Sequence, residues 1–175
     1  KGVLKFVIIQ ALNNTTVQVD LNNIKKLPKE TDVDMSFYNS KSNKLMHTYT
    51  HTLNRNQLPD TFALDPIYTY KMVVHTVPEV VVDNIKLIPG KHNTIVAQTP
   101  QGILKLSTQG SNSQFTGINV IVRKENEYKT INIHKMNSEK EYLLGKYDLE
   151  MLTLPRISVE DVELKQSTTT EITIP

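Results

Sequence analysis

The chain has 175 residues, with 20 Lys and Arg against 18 Asp and Glu, so its formal net charge is +2. These charges are scattered without a run of one sign, so the sequence has no basic stripe that could bind phosphate groups. It therefore predicts no nucleic-acid binding. Cys is absent, which excludes disulfides, thiolate metal sites and Cys nucleophiles. No apolar run approaches the ~20 residues that a spanning helix needs, so direct membrane insertion is not expected.

Short segments rich in Val, Ile and Thr predict β-strands along the chain. Turn-forming residues separate them at intervals of roughly 8 to 12 residues, a spacing typical of β-sandwiches. Strict alternation in Tyr147–Met151 predicts one core face and one solvent face. The predicted strands are Val3–Gln10, Thr16–Leu21, Val33–Tyr38, Leu45–Leu53, a short piece near Phe62, Tyr68–Thr76, Val80–Leu87, Thr94–Ala97, Ile103–Ser107, Ile118–Arg123, Lys129–Ile133, Tyr147–Thr153, Ile157–Leu164 and Thr169–Ile174.

A turn or one short helix is predicted at Ser138–Leu144. Ser138 and Glu141 have the spacing of a capping box, and Gly145 is a suitable C-terminal stop. With at most about two turns, this helix would lie on the rim of a sandwich.

The chain repeats itself in degenerate form. Tyr70–Ala97 and Tyr147–Ile174 align without a gap at a separation of 77 positions, and both contain a Thr-x-Pro element. The segments Gly2–Phe6 and Gly102–Leu106 match at a separation of 100 positions. Two copies of one structural unit are therefore predicted.

The predicted fold class is all-β, with two tandem β-sandwich domains of immunoglobulin-like or prealbumin (transthyretin)-like type. The first domain is expected at residues 1–99 and the second at residues 100–175. Because the two separations differ, the first copy should carry about 23 extra residues, which we place around 22–30 and 40–60. The sequence pattern leaves the choice between the two strand orders open.

The segment Leu143–Met151, LLGKYDLEM, joins a leucine, a turn, a glycine, a variable residue, a tyrosine and an alternating strand. This phrase resembles one that recurs in prealbumin-like and carboxypeptidase-regulatory-type β-sandwich modules. Leu64–Tyr70 is a less complete version of it in the first copy. With the Thr-x-Pro elements and the Gly-x-Leu-Lys openings, the chain resembles the tandem C-terminal β-domains that follow a von Willebrand factor A domain in exported Bacteroidetes proteins.

The resemblance implies export to the periplasm or cell surface and a non-catalytic role beside another domain. The chain begins at Lys1 without Met or a signal peptide, so we expect a fragment whose targeting signal and any catalytic domain lie upstream. The Asp-x-Ser-x-Ser metal motif of the A domain is missing from the sequence. The resemblance therefore does not imply metal-dependent adhesion.

Two histidines four positions apart, His47 and His51, would form a zinc pair on a helix. The alternating Thr and Tyr between them predict a strand, along which four residues span roughly 13 Å, too far for one ion. We expect an exposed strand face instead. Tyr38, His47, Tyr49 and His51 are the candidate residues for ligand or partner contact.

No metal site and no cofactor is predicted. Asp32 and Asp34 share a strand face with Asp20 as a possible neighbour, but calcium would need further oxygen ligands and a Gly-containing loop. A polar outer face is expected there. The remaining histidines are expected to be solvated or hydrogen-bonded: His75, His92 and His134.

One covalent cross-link is a testable hypothesis for the first copy. Lys5 and Asn93 lie on a predicted first and last strand, where some surface domains form an isopeptide bond beside a buried acid. The second copy pairs Lys105 with Thr170 or Glu171 and offers no such bond. An intact mass lower than the sequence mass by one ammonia would be required.

The predicted function is a non-catalytic structural or protein-interaction module of a larger exported or cell-surface protein. Its partner would be another protein or an upstream domain, bound through sheet edges and loops; the oligomeric state stays open. Segment 22–60 is the expected contact region, since the scaffold does not need it. The alternative is a carbohydrate- or peptide-binding module with Tyr38, Tyr49 and the His47–His51 strand in a concave patch.

No enzyme is predicted, because the sequence has neither a Gly-x-Ser-x-Gly elbow nor a Gly-rich phosphate loop. A hydrolase would require His and acidic side chains that converge in a pocket. Spacing along the chain does not reveal such a group.

Overall fold

The computed structural model describes residues 14–21, 32–109 and 117–174. The chain forms two compact units, one of Lys1–His75 with Glu79–Thr99 and the other of Thr76–Pro78 with Pro100–Pro175. Within the described residues every regular element is a β-strand, which confirms the all-β prediction. None of these residues forms a helix long and apolar enough to cross a membrane.

The described residues of the first unit form seven strands in two sheets. The three-stranded sheet has the order β4-β1-β7 and the four-stranded sheet the order β3-β2-β5-β6. β1 and β7 are parallel, and the other pairs are antiparallel. The strands are β1 (Thr16–Asp20), β2 (Val33–Asn39), β3 (Leu45–His51), β4 (Thr61–Ala63), β5 (Thr69–Val74), β6 (Val80–Lys86) and β7 (His92–Val96).

The second unit repeats this arrangement strand for strand. Its sheets have the orders β11-β8-β14 and β10-β9-β12-β13, and β8 is again parallel to β14. The internal repeat predicted from the sequence is therefore a repeat of topology. The strands are β8 (Gln101–Thr108), β9 (Asn119–Lys124), β10 (Thr130–Lys135), β11 (Glu139–Leu143), β12 (Gly145–Met151), β13 (Ile157–Leu164) and β14 (Thr169–Ile174).

The order of the described strands can be compared with that of an immunoglobulin constant domain. An immunoglobulin constant domain places its first strand in one sheet with its second, fourth and fifth strands. Here the first strand of each unit lies between the fourth and the seventh, and the second strand belongs to the other sheet. The order of the described strands therefore differs from that of an immunoglobulin constant domain.

Each unit has its own hydrophobic core between its two sheets, because alternate strand residues point inward. Full burial of each large apolar side chain contributes about 1.5–3 kcal/mol. The first core includes Val17, Met35, Phe37, Tyr70 and Met72. The second includes Leu104, Leu106, Val122, Tyr147 and Leu149.

The tyrosine of the repeated phrase forms a tyrosine corner in both units. The hydroxyl of Tyr70 donates a hydrogen bond to the backbone carbonyl of Asp65 at 2.9 Å. Tyr147 donates in the same way to the carbonyl of Leu143 at 2.6 Å. Burial raises the pKa of each phenol to about 12, so both remain protonated donors.

The repeated Thr-x-Pro elements also have a structural explanation. Thr76 donates from its Oγ1 to the carbonyl of Pro78 at 2.7 Å, and Thr153 to the carbonyl of Pro155 at 2.6 Å. Both prolines follow a cis peptide bond. The threonine and the proline thus shape the connection between the fifth and sixth strands of each unit.

The turn or short helix predicted at Ser138–Leu144 is wrong, because this segment contains β11, paired antiparallel with β8. The segment lacks an apolar stripe at helical spacing, whereas pairing with β8 satisfies its backbone and buries Tyr142 completely. Ser138 does not cap a helix: its Oγ donates to the carbonyl of Lys135 at 2.7 Å in the preceding turn.

The separation of 100 positions predicted for the opening strands is also wrong. Thr16 lies opposite His92, and Ile103 lies opposite Thr169, which is 77 positions after His92. β1 therefore corresponds to β8 at a separation of 87 positions. The segments Gly2–Phe6 and Val3–Gln10, predicted as the first strand, lie outside the described residues.

The first unit consequently carries 10 extra residues between β1 and β5, the difference between 87 and 77, rather than 23. Most of them lie between β3 and β4. Tyr49 and His134 occupy equivalent places 85 positions apart, whereas Phe62 and Lys140 are 78 positions apart. The connection at residues 52–60 is therefore longer by 7 residues than its counterpart.

Candidate functional site

Three of the four candidate contact residues, His47, Tyr49 and His51, alternate along β3, which is an edge strand among the described strands of its sheet. Their partners on β2 are buried core residues. Since side chains alternate with a period of two, all three face the interior side of the sheet and not its outer face.

The expectation of an exposed strand face is wrong for His51. Only 5% of this residue is exposed, and its Nε2 lies 3.0 Å from the carbonyl oxygen of Val19, to which it donates. This carbonyl belongs to β1 in the opposite sheet, so the imidazole spans the sandwich. In the part of the chain that the structure describes, no three His, Asp or Glu side chains gather as a metal site.

Tyr49 belongs to an aromatic group at the same edge. Its ring stacks on Phe62 of β4 with 4.1 Å between centroids and on His47 with 5.9 Å. The Tyr49 hydroxyl donates weakly to the carbonyl of Ala63 at 3.4 Å, and burial raises the pKa of this phenol. Aromatic pairs of this kind contribute about 0.5–1.5 kcal/mol beyond area burial.

Tyr38 lies on the opposite face of the four-stranded sheet. It is paired with Lys71, whose Nζ lies 5.0 Å from the ring centroid. Its neighbour Phe37 is completely buried. The structure therefore brings Tyr49 and His51 together but leaves Tyr38 apart from them.

An open cleft of about 360 Å³ lies between the edge strands β3 and β4. Its floor is apolar and its rim is polar, and a hydrogen bond from Thr52 to Asp60 joins the two ends of the long connection. Such a combination of apolar surface and a few polar groups is typical of binding sites. The lining residues are Val19, Met35, Tyr49, Thr50, His51, Thr52, Asp60, Thr61 and Phe62.

In the second unit, buried polar side chains fill the equivalent edge. Tyr142 accepts a hydrogen bond from Asn132 Nδ2 at 2.7 Å and lies 3.1 Å from His134 Nδ1. His134 Nε2 lies 3.2 Å from the carbonyl of Ser138, to which it donates. A neutral His134 thus accepts from the Tyr142 hydroxyl, and every partner in this group is satisfied.

We expect the second unit to lose stability in acid because of this group. Burial, followed by the charge of Lys140, lowers the pKa of His134 below its ordinary value of 6.5. The unfolded chain therefore binds the proton more readily, so the stabilisation is complete above about pH 6.5 and is lost as the pH falls toward the folded-state pKa. Urea unfolding between about pH 7.5 and 5 measures this loss. His134→Gln should reduce the pH dependence; an unchanged dependence would contradict the assignment.

His75 has partners that the sequence analysis missed. Its Nε2 lies 2.8 Å from Ser36 Oγ and its Nδ1 lies 2.8 Å from Glu79 Oε1. The spacing of His75 and Glu79 was a signal for the second contact, because a short turn joins them. Ser36 is 39 positions away from His75, and only the pairing of β2 with β5 brings it there.

The other predicted polar sites have simpler surroundings. Asp32 and Asp34 are exposed, and Asp34 Oδ1 accepts from Thr50 Oγ1 at 2.7 Å, which agrees with a polar outer face. His92 is hydrogen-bonded, as expected: its Nδ1 lies 3.0 Å from the hydroxyl of Thr16.

Lys5, one partner of the hypothetical isopeptide bond, lies outside the described residues. Asn93, the other partner, holds the turn between β6 and β7 through its side-chain amide, which donates to the carbonyl of Lys91 at 2.9 Å. In the second unit Lys105 and Glu171 form an ion pair at 3.0 Å with both side chains about half exposed. The isopeptide bond stays a prediction for mass spectrometry.

No family model and no curated protein matches this chain. Among solved structures it is similar to the Bacillus anthracis TIE protein, with 11% identity and a TM-score of 0.34 over 91% of this chain. The chain spans only 33% of the length of that protein. It is also similar to the shaft pilin spaA from Lactobacillus rhamnosus GG, with 9% identity, a TM-score of 0.24, and coverage of 91% of this chain and 95% of the pilin.

Proposed function

We propose that this chain is a non-catalytic protein-interaction module of a larger exported protein, and that it binds an extended segment of a partner protein at the cleft between β3 and β4. The observation that carries this proposal is the difference between the two units. The second unit fills this edge with His134 and Tyr142, whereas the first opens a cleft beside a connection that is longer by 7 residues. The scaffold folds without the cleft, so the cleft has another use.

The backbone of β3 is oriented to receive such a segment. The carbonyl of Asp34 accepts from the N–H of His75 at 2.9 Å, so the backbone groups of Asp34 face β5. Those of the next residue, Met35, face β3, where its partner is Tyr49. Thr48, which precedes Tyr49, therefore directs its N–H and C=O groups away from β2.

The side chains of β3 favour the same partner. Among the described strands, only β2 pairs with β3, and the sequence of β3, LMHTYTH, contains no Asp, Glu, Lys or Arg. Natural edge strands usually carry charges or proline to prevent pairing. The equivalent edge strand of the second unit, β10, has the sequence TINIHK and carries one Lys, at its last position. An added strand would form main-chain hydrogen bonds with β3 and place an apolar side chain in the cleft.

Replacing Thr48 with Pro should abolish this binding. Proline removes an outward N–H without breaking the ladder to β2. The probe is a displayed library of random peptides of about 12 residues, selected on the wild-type chain, a length that exceeds the strand to be paired. Selected peptides should lose at least about tenfold in affinity for Thr48→Pro, which is about 1.4 kcal/mol.

The control is Ile133→Pro, at the equivalent place in β10, which should bind the selected peptides like the wild type. Peptides that bind Thr48→Pro as tightly as the wild type would overturn the proposal, and so would a selection that yields no binders.

A carbohydrate-binding module is the second candidate, supported by the polar rim and the aromatic rings of the cleft. Sugar recognition needs a free aromatic face, whereas Tyr49 already stacks on Phe62 and His47. A glycan array would favour this candidate if binding depended on Tyr49 and survived Thr48→Pro.

We also propose that the chain follows a von Willebrand factor A-type domain in a protein of the periplasm or cell surface. The tyrosine corners, formed by the residues of the phrase that carries the resemblance, support this proposal. The coding sequence upstream of Lys1 tests it. A signal peptide and an A-type domain would make the two units spacer and interaction modules; a signal peptide directly before Lys1 would overturn the association.

A further inference from the structure

Ser36, His75 and Glu79 form a hydrogen-bonded group on the outer face of the four-stranded sheet, away from the cleft. Ser36 belongs to β2, His75 directly follows β5, and Glu79 directly precedes β6. The distances are 2.8 Å from Ser36 Oγ to His75 Nε2 and 2.8 Å from His75 Nδ1 to Glu79 Oε1. A hydroxyl, an imidazole and a carboxylate in this order are the parts of an activated nucleophile.

The carboxylate of Glu79 determines which ring nitrogen of His75 donates a hydrogen bond and which accepts one. An ionised carboxylate only accepts hydrogen bonds, so the Nδ1 of neutral His75 carries the proton and donates it to Glu79. The Nε2 is then the acceptor, and the Ser36 hydroxyl must donate to it. This is the tautomer in which the imidazole acts as a base toward the serine.

Regular structure holds the group in place. Ser36 is paired with Val73, and the N–H of His75 donates to the carbonyl of Asp34 at 2.9 Å, so the two side chains lie diagonally across neighbouring strands. Ser36 is only 6% exposed, while the side chain of His75 is 35% exposed and forms the solvent-facing side of the group.

The fold itself does not require this group. At the equivalent positions the second unit has Ile121, Leu152 and Arg156, which cannot form it. Arg156 pairs with Glu150 instead. The same scaffold is therefore built once with the serine, histidine and acid and once without them.

We propose that Ser36 is a nucleophile that accepts an acyl group from a carboxylic ester. Ser36 Oγ bonds to the ester carbonyl carbon while the hydroxyl proton moves to His75 Nε2. The carbon–oxygen bond to the alcohol then breaks, and the alcohol leaves with the proton from His75. The product is an acyl ester of Ser36, and no oxidant or further reactant is needed.

The reaction stops at this ester. β2 lies between β3 and β5, so the backbone N–H groups around Ser36 are held in the ladders and do not form an oxyanion hole. Loss of one oxyanion donor costs about 10²–10³ in rate in a serine hydrolase, so acylation here is slow and hydrolysis of the product slower. The group acts stoichiometrically, which is compatible with a non-catalytic module.

The experiment uses the full chain with a fluorophosphonate and, separately, 4-nitrophenyl acetate, followed by intact mass and peptide mapping. A single adduct on Ser36 is expected from each reagent. His75→Gln should lower its rate of formation by about 10²-fold, the contribution of a general base. Ser42→Ala is the control: Ser42 is exposed in the turn after β2, and its replacement should leave labelling unchanged.

Glu79 acts through His75 and is a positioning residue. Glu79→Gln should lower the rate of labelling at least about tenfold, and Glu79→Asp should restore part of it, a rescue that a merely structural role would not give. Because Glu79 is exposed, these variants keep the fold even if His75→Gln does not. Absence of a Ser36 adduct, or equal rates in wild type and Glu79→Gln, would overturn the proposal.

Discussion

Replacing Phe37 with Ala should lower the free energy of unfolding of the first unit by about 3–5 kcal/mol, the cost of truncating a buried aromatic side chain. Phe37 is completely buried and makes edge contacts with Tyr49, Phe62 and Tyr70, at centroid distances of 6.0, 5.6 and 6.3 Å. The loss would reach the cleft, because Tyr49 and Phe62 form one of its walls. Urea unfolding followed by circular dichroism measures the change.

The adjacent residue provides the control. Tyr38 points to the outer face, where its main contact is the ammonium group of Lys71. A cation–π contact at such a site contributes about 0.5–1 kcal/mol, so Tyr38→Ala should cost no more than this. Equal losses for Phe37→Ala and Tyr38→Ala would show that the two side chains are not on opposite faces.

These neighbours also show why the fold was easier to predict than the site. β-Branched segments and turn residues predicted thirteen of the fourteen described strands, since alternation and turn chemistry are local properties. β11 was missed because the backbone partner that makes Glu139–Leu143 a strand is β8, which is remote in sequence. A capping-box pattern is a weak signal beside a sheet edge that needs a partner.

The site depends on which face of a strand is inward, and the spacing of His47, Tyr49 and His51 does not determine this. The alternation placed the three together, but only the pairing of β3 with the core residues of β2 turned them inward. The Ser36–His75–Glu79 group depends even more strongly on long-range pairing. A single sequence shows the three residues but does not show that they lie close together in the fold.

The first strand of the second unit shows a different limit of prediction from sequence. The match of Gly102–Leu106 to Gly2–Phe6 suggested equivalent strands, yet register places β1 at that position. The residue equivalent to Gly102 is Thr15, whose Oγ1 accepts from the N–H of Gly90 at 2.8 Å. Gly102 is therefore not a signature of the repeat, and the need for a residue without a side chain at this position has a local cause.

A close backbone contact at Gly102 predicts the second large effect, a loss of stability in the second unit. A Cβ added at Gly102 would lie 2.5 Å from the backbone oxygen of Lys165, closer than any real contact, and a backbone atom cannot move away as a flexible side chain would. Ser167 N–H donates to the carbonyl of Gln101 at 2.9 Å, so the two backbone segments are held together beside the glycine. Forcing them apart should cost the second unit about 1–3 kcal/mol.

Gly102→Ala should therefore lower the urea midpoint of the second unit, although Ala has the higher propensity for regular structure. Ser107→Ala, on the same strand but half-exposed, should change stability by no more than about 0.5 kcal/mol. A Gly102→Ala chain as stable as Ser107→Ala would mean that β8 and the segment at Lys165 do not approach this closely. Because Gly102 and Lys165 both belong to the second unit, the loss should appear in the transition of that unit, and the transition of the first unit should stay unchanged.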